Sequence, residues 1–259
     1  MNTVMARACP EQCANPCCSS AFKNLTVAAS RKNADNQRGT LVENCPLFSG
    51  VLPCEYAGIC ATARVKEFAR GEMLYMEGQT VRQVMLLTSG IVKITQLGPT
   101  GTEAILRLGV PGDVLDSASL FATGSHCATA QAFRLCHALV WDAPDFKVVV
   151  ERFPVLYRNM VRILGDHLLQ LEERFREVAT ERVGPRVARQ LVRLQAQIGR
   201  QVNGVIEIGL SRHELAQMTG TTLFTVSRLL SAWEARGMVS NRRESVTICD
   251  IESLMAISE

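Results

Sequence analysis

The spacing of apolar positions changes several times along this chain, and each change predicts a different element. Between residues 70 and 115, short apolar runs such as EMLYME, VMLLTSGIVKITQL and AILRLGV are separated by Gly71, Gly78, Gly90, Gly101, Gly109 and Gly112. Short strands with turn residues between them predict a compact antiparallel β-domain of jelly-roll type. ATAQAFRLCHALVWD adds further strands, and Asp142–Pro144 turns the chain into helix. Ahead of the β-domain, residues 41–68 are expected to form a short helical region that ends in VKEF. From 154 to 183 the period becomes helical and predicts one long helix. Tyr157, Val161, Leu164, Leu168, Leu171, Phe175 and Val178 recur at alternating steps of four and three, the seam of a two-stranded coiled coil. An amphipathic helix packed only on its own chain is the competing reading of that stripe. Leu156, Met160 and Ile163 lie partly off the seam and are expected to pack on the β-domain. Gly184-Pro185 is expected to start the next helix, which runs to about Ile198, with proline at the tolerated first position.

Residues 211–233, SRHELAQMTGTTLFTVSRLLSAW, predict two helices joined by a tight turn. Ser211 and Glu214 form a capping box. Thr219, Gly220 and Thr221 break the first helix, and glycine tolerates the positive φ that such a turn needs. In the second helix Val226, Leu229, Leu230 and Trp233 make one apolar stripe. Its opposite face carries Phe224, Ser227, Arg228 and Ser231. A second helix presenting such a face is the arrangement that enters a DNA major groove. Arg228 can donate a bidentate pair to guanine O6 and N7, and Phe224 can meet a thymine methyl. A core helical hairpin with incidental surface arginines is the alternative. Asn203-Gly204 predicts a hairpin before VIEIGL, and MVSNRRESVTICD predicts another, with Asn241, Arg242 and Arg243 at its tip as phosphate contacts. Candidate DNA-binding residues are therefore Ser211, Arg212, Thr221, Thr222, Phe224, Thr225, Ser227, Arg228, Arg242 and Arg243.

Charge and composition adjust this picture modestly. The net charge of the 259 residues is only +3. From Glu181 onward, however, ten arginines and no lysines face eight acids, and arginine is the better fork for phosphate and guanine. No apolar run approaches the roughly 20 residues of a membrane span, and no signal-peptide core opens the chain. The expectation is a cytoplasmic protein with no membrane partner. Ten cysteines then stand out, because stable disulfides are rare in a reducing compartment and metal binding or redox chemistry becomes the sharper reading. Cys9, Cys13, Cys17 and Cys18 fall in a polar extension, residues 1–40, expected to be disordered. Their spacing does not fit the paired motif of zinc sites.

The order of elements resembles the CRP/FNR superfamily of bacterial transcription regulators. The residues that carry the likeness are RGEMLYMEGQ (70–79), LLTSGIVKI (86–94), PGDVLDSASLF (111–121), QLEERFREVATERV (170–183) and SRHELAQMTGTTLFTVSRLL (211–230). The resemblance implies an α+β protein with four parts: the extension 1–40, a β-roll sensor domain at 41–152, a dimerisation helix at 153–183 and a winged helix–turn–helix at 184–259. It implies a homodimer that binds palindromic promoter DNA, works with RNA polymerase and is not an enzyme. Its N-terminal domain would answer a redox or gas signal such as oxygen, nitric oxide or an oxidant.

Departures from the family narrow the effector. Cyclic-nucleotide-binding members hold ribose and phosphate with a Gly-Glu and an Arg-Ser pair, whereas Asp116-Ser117 and about His126-Cys127 stand here. Loss of the arginine removes the phosphate's charged fork, and this argues against a cyclic nucleotide. FNR proteins hold an iron–sulfur cluster with a C-x2-C-x5-C run. Cys45 matches its third position, but Gly39 and Asn36 occupy the others. Cys45, Cys54, Cys60 and Cys136 remain a possible rearranged set of four thiolates, with ordinary core or spectator thiols as the alternative. The recognition helix is similar to the NnrR-like branch, whose members are thought to sense through haem, and His126, His137 and His167 are the candidate axial ligands. The cofactor thus stays open, with an iron–sulfur cluster ranked before haem. A cofactor-free thiol sensor is one alternative. A cupin-like metalloenzyme is another, disfavoured because four histidines form no H-x-H pair.

Overall fold

A computed structural model of the chain describes residues 45–115 and 117–258. A 3-10 turn (Pro46–Phe48) and helix α1 (Pro53–Cys60) lead into eight strands. These are β1 (Arg64–Phe68), β2 (Met73–Tyr75), β3 (Gln83–Ser89), β4 (Val92–Leu97), β5 (Glu103–Gly109), β6 (Val114–Leu115), β7 (Thr129–Ala132) and β8 (Cys136–Asp142), with α2 (Ser117–Ala122) between β6 and β7. They pair as two antiparallel sheets, β1-β8-β3-β6 and β2-β7-β4-β5, the strand order of a jelly roll. VKEF is therefore not the end of a helix. Arg64–Phe68 pairs with β8 from Arg64 opposite Val140 to Phe68 opposite Cys136. That partner lies some seventy residues away, and local spacing could not supply it.

Strand β8 explains its own continuous apolar run. Cys136, Ala138 and Val140 point into the core between the sheets. Leu139 and Trp141 point the other way, into a second core under the helices, as the two-residue period of a strand requires. Trp141 donates its indole N–H to the Ile59 carbonyl at 2.9 Å, which fixes α1 against the roll. Gly90 takes φ +89°, and a Cβ there would sit 2.2 Å from the Leu135 carbonyl oxygen, so only glycine lets these strands approach.

Helices α3 (Ala143–Arg152) and α4 (Pro154–Thr180) follow. At 27 residues, α4 is about 40 Å long. Leu156 and Met160 are buried on the roll, and Ile163 packs beside them. Asn159 donates to the carbonyls of Leu47 and Ser49 at 2.8 and 2.7 Å. The long helix stops three residues earlier than its spacing suggested. Glu181 is extended, and α5 (Val183–Ile198) begins with Pro185 inside its first turn rather than at its first position. The remaining elements are β9 (Arg200–Val202), β10 (Val205–Ile208), α6 (Arg212–Thr219), α7 (Leu223–Ala235), β11 (Val239–Asn241), β12 (Val246–Ile248) and α8 (Ile251–Ser258). The small sheet runs β11-β12-β10-β9. Its core of Leu191, Leu215, Val226, Leu230 and Trp233 is continuous with Ile91, Ile105 and Leu108 of the roll, so the C-terminal part leans on the N-terminal one.

Candidate nucleic-acid interface

The two-helix unit begins as its sequence requires. The Ser211 hydroxyl accepts from Glu214 N–H at 3.2 Å, while the Glu214 carboxylate accepts from the Ser211 amide at 2.8 Å. Gly220 ends α6 at φ +58°. Thr222 caps α7, its hydroxyl accepting from Thr225 N–H at 3.2 Å. Val226, Leu230 and Trp233 are buried beneath α7. Phe224 is 77% exposed on the outer face, and Arg228 is exposed beside it. Ser227 and Thr225 are half-buried, and so are Thr221 and Arg212 at the rim. A groove-facing surface of this kind places a guanidinium, a hydroxyl and an apolar ring where base edges would lie. Ser211 is less available than the sequence suggested, because its hydroxyl also donates to Glu214 at 2.7 Å.

One supporting residue was missed by the sequence reading. Arg186 of α5 is buried, and its guanidinium donates to the Thr219 carbonyl at 2.7 Å and to the Gly220 carbonyl at 3.5 Å. A cation satisfying the last carbonyls of α6 complements the helix dipole and fixes the turn. The signal was an arginine directly before the apolar Val187 and three positions after Val183. The wing also differs in detail. Arg242 and Arg243 are exposed at its tip. Asn241 instead belongs to β11, its amide N–H donating to Glu234 at 2.8 Å and its side chain to the Leu230 carbonyl at 3.1 Å. Those bonds tie the wing to α7 and make Asn241 a brace.

All seven seam residues of α4 are exposed in the single chain: Tyr157, Val161, Leu164, Leu168, Leu171, Phe175 and Val178 lie between 40% and 74%. A stripe of that size left open on a helix is unusual for a monomer. At its lower end Glu177 is buried, and its carboxylate receives both arms of Arg193 at 2.9 and 2.5 Å and the guanidinium of Arg189 at 3.4 Å. This joint ties the end of α4 to α5.

The four candidate thiols are not brought together as a set, although Cys45 and Cys60 share one core. Cys136 is buried in the core between the sheets, donating to the carbonyls of Ile91 and Arg134. Cys45 lies in the helix-side core and donates to the Gly112 carbonyl at 3.0 Å. Burial pushes the Cys45 thiol up to about 11, opposed by the amides of Leu47 and Phe48 and reinforced by Asp113 and nearby Cys60. Cys54 is exposed. Among the described residues no three histidine, cysteine or acidic side chains are grouped to hold a metal. Cys45, Cys54, Cys60 and Cys136 therefore do not fit a four-thiolate cluster, because Cys136 belongs to a separate core. Cys9, Cys13, Cys17 and Cys18 lie outside the described residues.

The histidines are equally scattered. His126 is buried and stacks on Tyr75 at 4.0 Å. His137 is held between Ser89 Oγ at 2.9 Å and the Glu67 carboxylate at 3.0 Å. His167 faces a cavity of about 170 Å³ between the roll and α4, whose walls include Ile94, Arg107, Leu171 and Arg174. Burial, then the Arg107 charge, lowers its pKa. That cavity is smaller than the roughly 300–1,000 Å³ of ordinary small-molecule sites, so it does not fit haem as it stands. No helix among the described residues is long and apolar enough to cross a membrane.

Two family models match the chain. The Crp-like helix-turn-helix domain covers residues 185–257, and the cyclic nucleotide-binding domain covers residues 65–153. The CRP-like cAMP-activated global transcriptional regulator of Mycobacterium tuberculosis is 27% identical over 210 residues, 80% of this chain and 94% of that protein. Electron transport regulator A of Shewanella oneidensis is 24% identical, over 74% of this chain and 77% of that protein. Among solved structures, a CooA mutant from Carboxydothermus hydrogenoformans superposes with a TM-score of 0.64 at 28% identity, covering 79% of this chain and 92% of that one.

Proposed function

The chain belongs to the CRP/FNR family of DNA-binding transcription regulators, which are not enzymes, and on that footing we propose a specific mode of action. Two copies join along the exposed α4 seam and set two α7 helices into successive major grooves of a palindromic promoter site. The single observation that carries this reading is the outer face of α7, where Arg228 and Phe224 are exposed while Trp233 is buried. Arg228 reads a guanine, Phe224 lies against a thymine methyl, and Ser227 and Thr225 bond to nearby bases or phosphates. Arg212, Thr221 and Thr222 at the rim, with Arg242 and Arg243 on the wing, hold the backbone. Two-fold symmetry sets the half-sites about one helical turn, roughly 34–36 Å, apart. Such a regulator works beside the chromosome in the cytoplasm, and RNA polymerase is its expected partner.

The signal enters through the β-roll, and we assign it to the redox or gas class. The support is the cysteine content and likeness to a protein named electron transport regulator A. The scattered thiols favour the cofactor-free form of this reading, in which exposed cysteines such as Cys54 and Cys127 are oxidised directly. A cyclic nucleotide is disfavoured because His126, where the family's phosphate-holding arginine is expected, is turned inward against Tyr75.

Selection from a random duplex library, with protein purified without oxygen and then oxidised, tests both parts. Enrichment of a palindrome in one redox state is expected. No enriched sequence in either state would refute the regulator reading. Equal enrichment in both states would refute the redox reading alone.

A further inference from the structure

A crevice of about 490 Å³ opens where the β-roll meets the C-terminal part, and it shares no lining residue with the small cavity beside α4. The roll contributes Ser89, Arg134 and His137, and the C-terminal part contributes Arg200 at the start of β9. Pro111 and Leu135 form an apolar margin, and Leu135 is 52% exposed. No carboxylate is among the residues that line it. Two arginines from different parts of the fold thus line one space, and the acid close to both, Glu207 opposite Arg200 in the β9–β10 pair, is not part of its lining.

Arg134 stands on the wall between this crevice and a neighbouring one that Gly209, Glu214 and Glu244 line. Its Nη2 donates to the Gly209 carbonyl at 3.4 Å, and a Cβ on Gly209 would lie 2.3 Å from that nitrogen. The guanidinium therefore approaches a position that only glycine leaves open. Its cationic form is disfavoured by burial first, and then by the like charges of Arg200 and Arg70, with Glu207 opposing. An anion between Arg134 and Arg200 would relieve that repulsion. The imidazole of His137, fixed by Ser89 and Glu67, stands on the same wall.

We propose that this crevice is a binding site for a small phosphorylated compound, whose phosphoryl group bridges Arg134 and Arg200 and whose organic body rests on Pro111 and Leu135. Forked guanidinium donors suit phosphoryl oxygens. The volume exceeds what a bare phosphate fills, and the apolar margin suits an ester. A ligand touching both parts favours the arrangement in which both guanidiniums are within reach. The site is separate from the α7 face and does not depend on the DNA-binding reading.

Calorimetric titration of the full chain at constant ionic strength tests this, with inorganic phosphate, pyrophosphate and glucose 6-phosphate as separate probes. One saturable site per protomer is expected, with Kd below about 1 mM for at least one probe and a shift of the His137 ring nitrogens in NMR spectra. Tighter binding of glucose 6-phosphate than of phosphate identifies an ester site, whereas the reverse order assigns the crevice to the free anion and overturns the ester. Arg200→Gln, on an exposed strand end, should weaken binding about tenfold or more, and Arg228→Ala should leave it unchanged. No saturation by about 10 mM, equal binding by Arg200→Gln, an unmoved His137 signal or loss in Arg228→Ala would each overturn the site.

Discussion

Leu168→Glu probes the α4 seam at a position that its own chain leaves more than half open. Leu168 is 56% exposed in the single chain, so the substitution should leave the folded protomer intact. Complete burial of a leucine contributes roughly 1.5–3 kcal/mol, so covering the open half gives about 1 kcal/mol per copy and about 2 kcal/mol per dimer. Two carboxylates would also face each other across the two-fold axis. At about 5 Å and an effective dielectric near 20 their repulsion adds about 3 kcal/mol. The total of about 5 kcal/mol raises the dimer dissociation constant by about 10³–10⁴. Sedimentation equilibrium across a range of concentrations reads this directly, and circular dichroism checks that the monomer keeps its helices. A variant that stays dimeric at wild-type strength would refute the seam. A variant that unfolds would show instead that Leu168 serves its own chain.

Two further predictions concern groups buried in the fold. Glu177→Gln removes the buried carboxylate that Arg189 and Arg193 grip. Because those arginines keep 22% and 27% of their side-chain surface, the cost should be about 2–3 kcal/mol, below the roughly 3–5 kcal/mol of a fully buried pair. Urea unfolding reads it, and an unchanged midpoint would show the joint to be neutral. The Cys45 thiol has a folded pKa of about 11 against an ordinary 9.0. A raised pKa means that the unfolded chain loses this proton first, so the stabilisation is complete below pH 9 and is lost as pH rises toward 11, by about 2–3 kcal/mol. Cys45→Ala should flatten that part of the stability–pH curve, and the same slope in both proteins would assign it to other groups.

Elements that rest on local rules were legible in the chain. The capping box at Ser211 and Glu214, the positive φ of Gly220, the inward Val226, Leu230 and Trp233 and the exposed heptad stripe all stand where the spacing put them. Elements that depend on distant partners were not. Arg64–Phe68 becomes a strand because β8 is beside it, and nothing within RVKEF announces that neighbour. The Glu177–Arg193 and Arg186–Thr219 contacts join residues 16 and 33 positions apart, and a charged residue within a helical stretch reads as solvent-facing until its partner is known. The four-thiolate set failed for the same reason. Sequence spacing cannot tell that Cys45 and Cys136 enter two different cores separated by a sheet.

Methylation of guanine N7 is the most direct test of the central claim, that Arg228 of α7 reads a base in the major groove. A methyl group at N7 removes an acceptor of the bidentate pair. On the selected operator, interference is expected at one guanine in each half-site for the wild-type protein and at neither for Arg228→Ala, with the remaining pattern shared. Identical interference patterns for the two proteins would contradict the account.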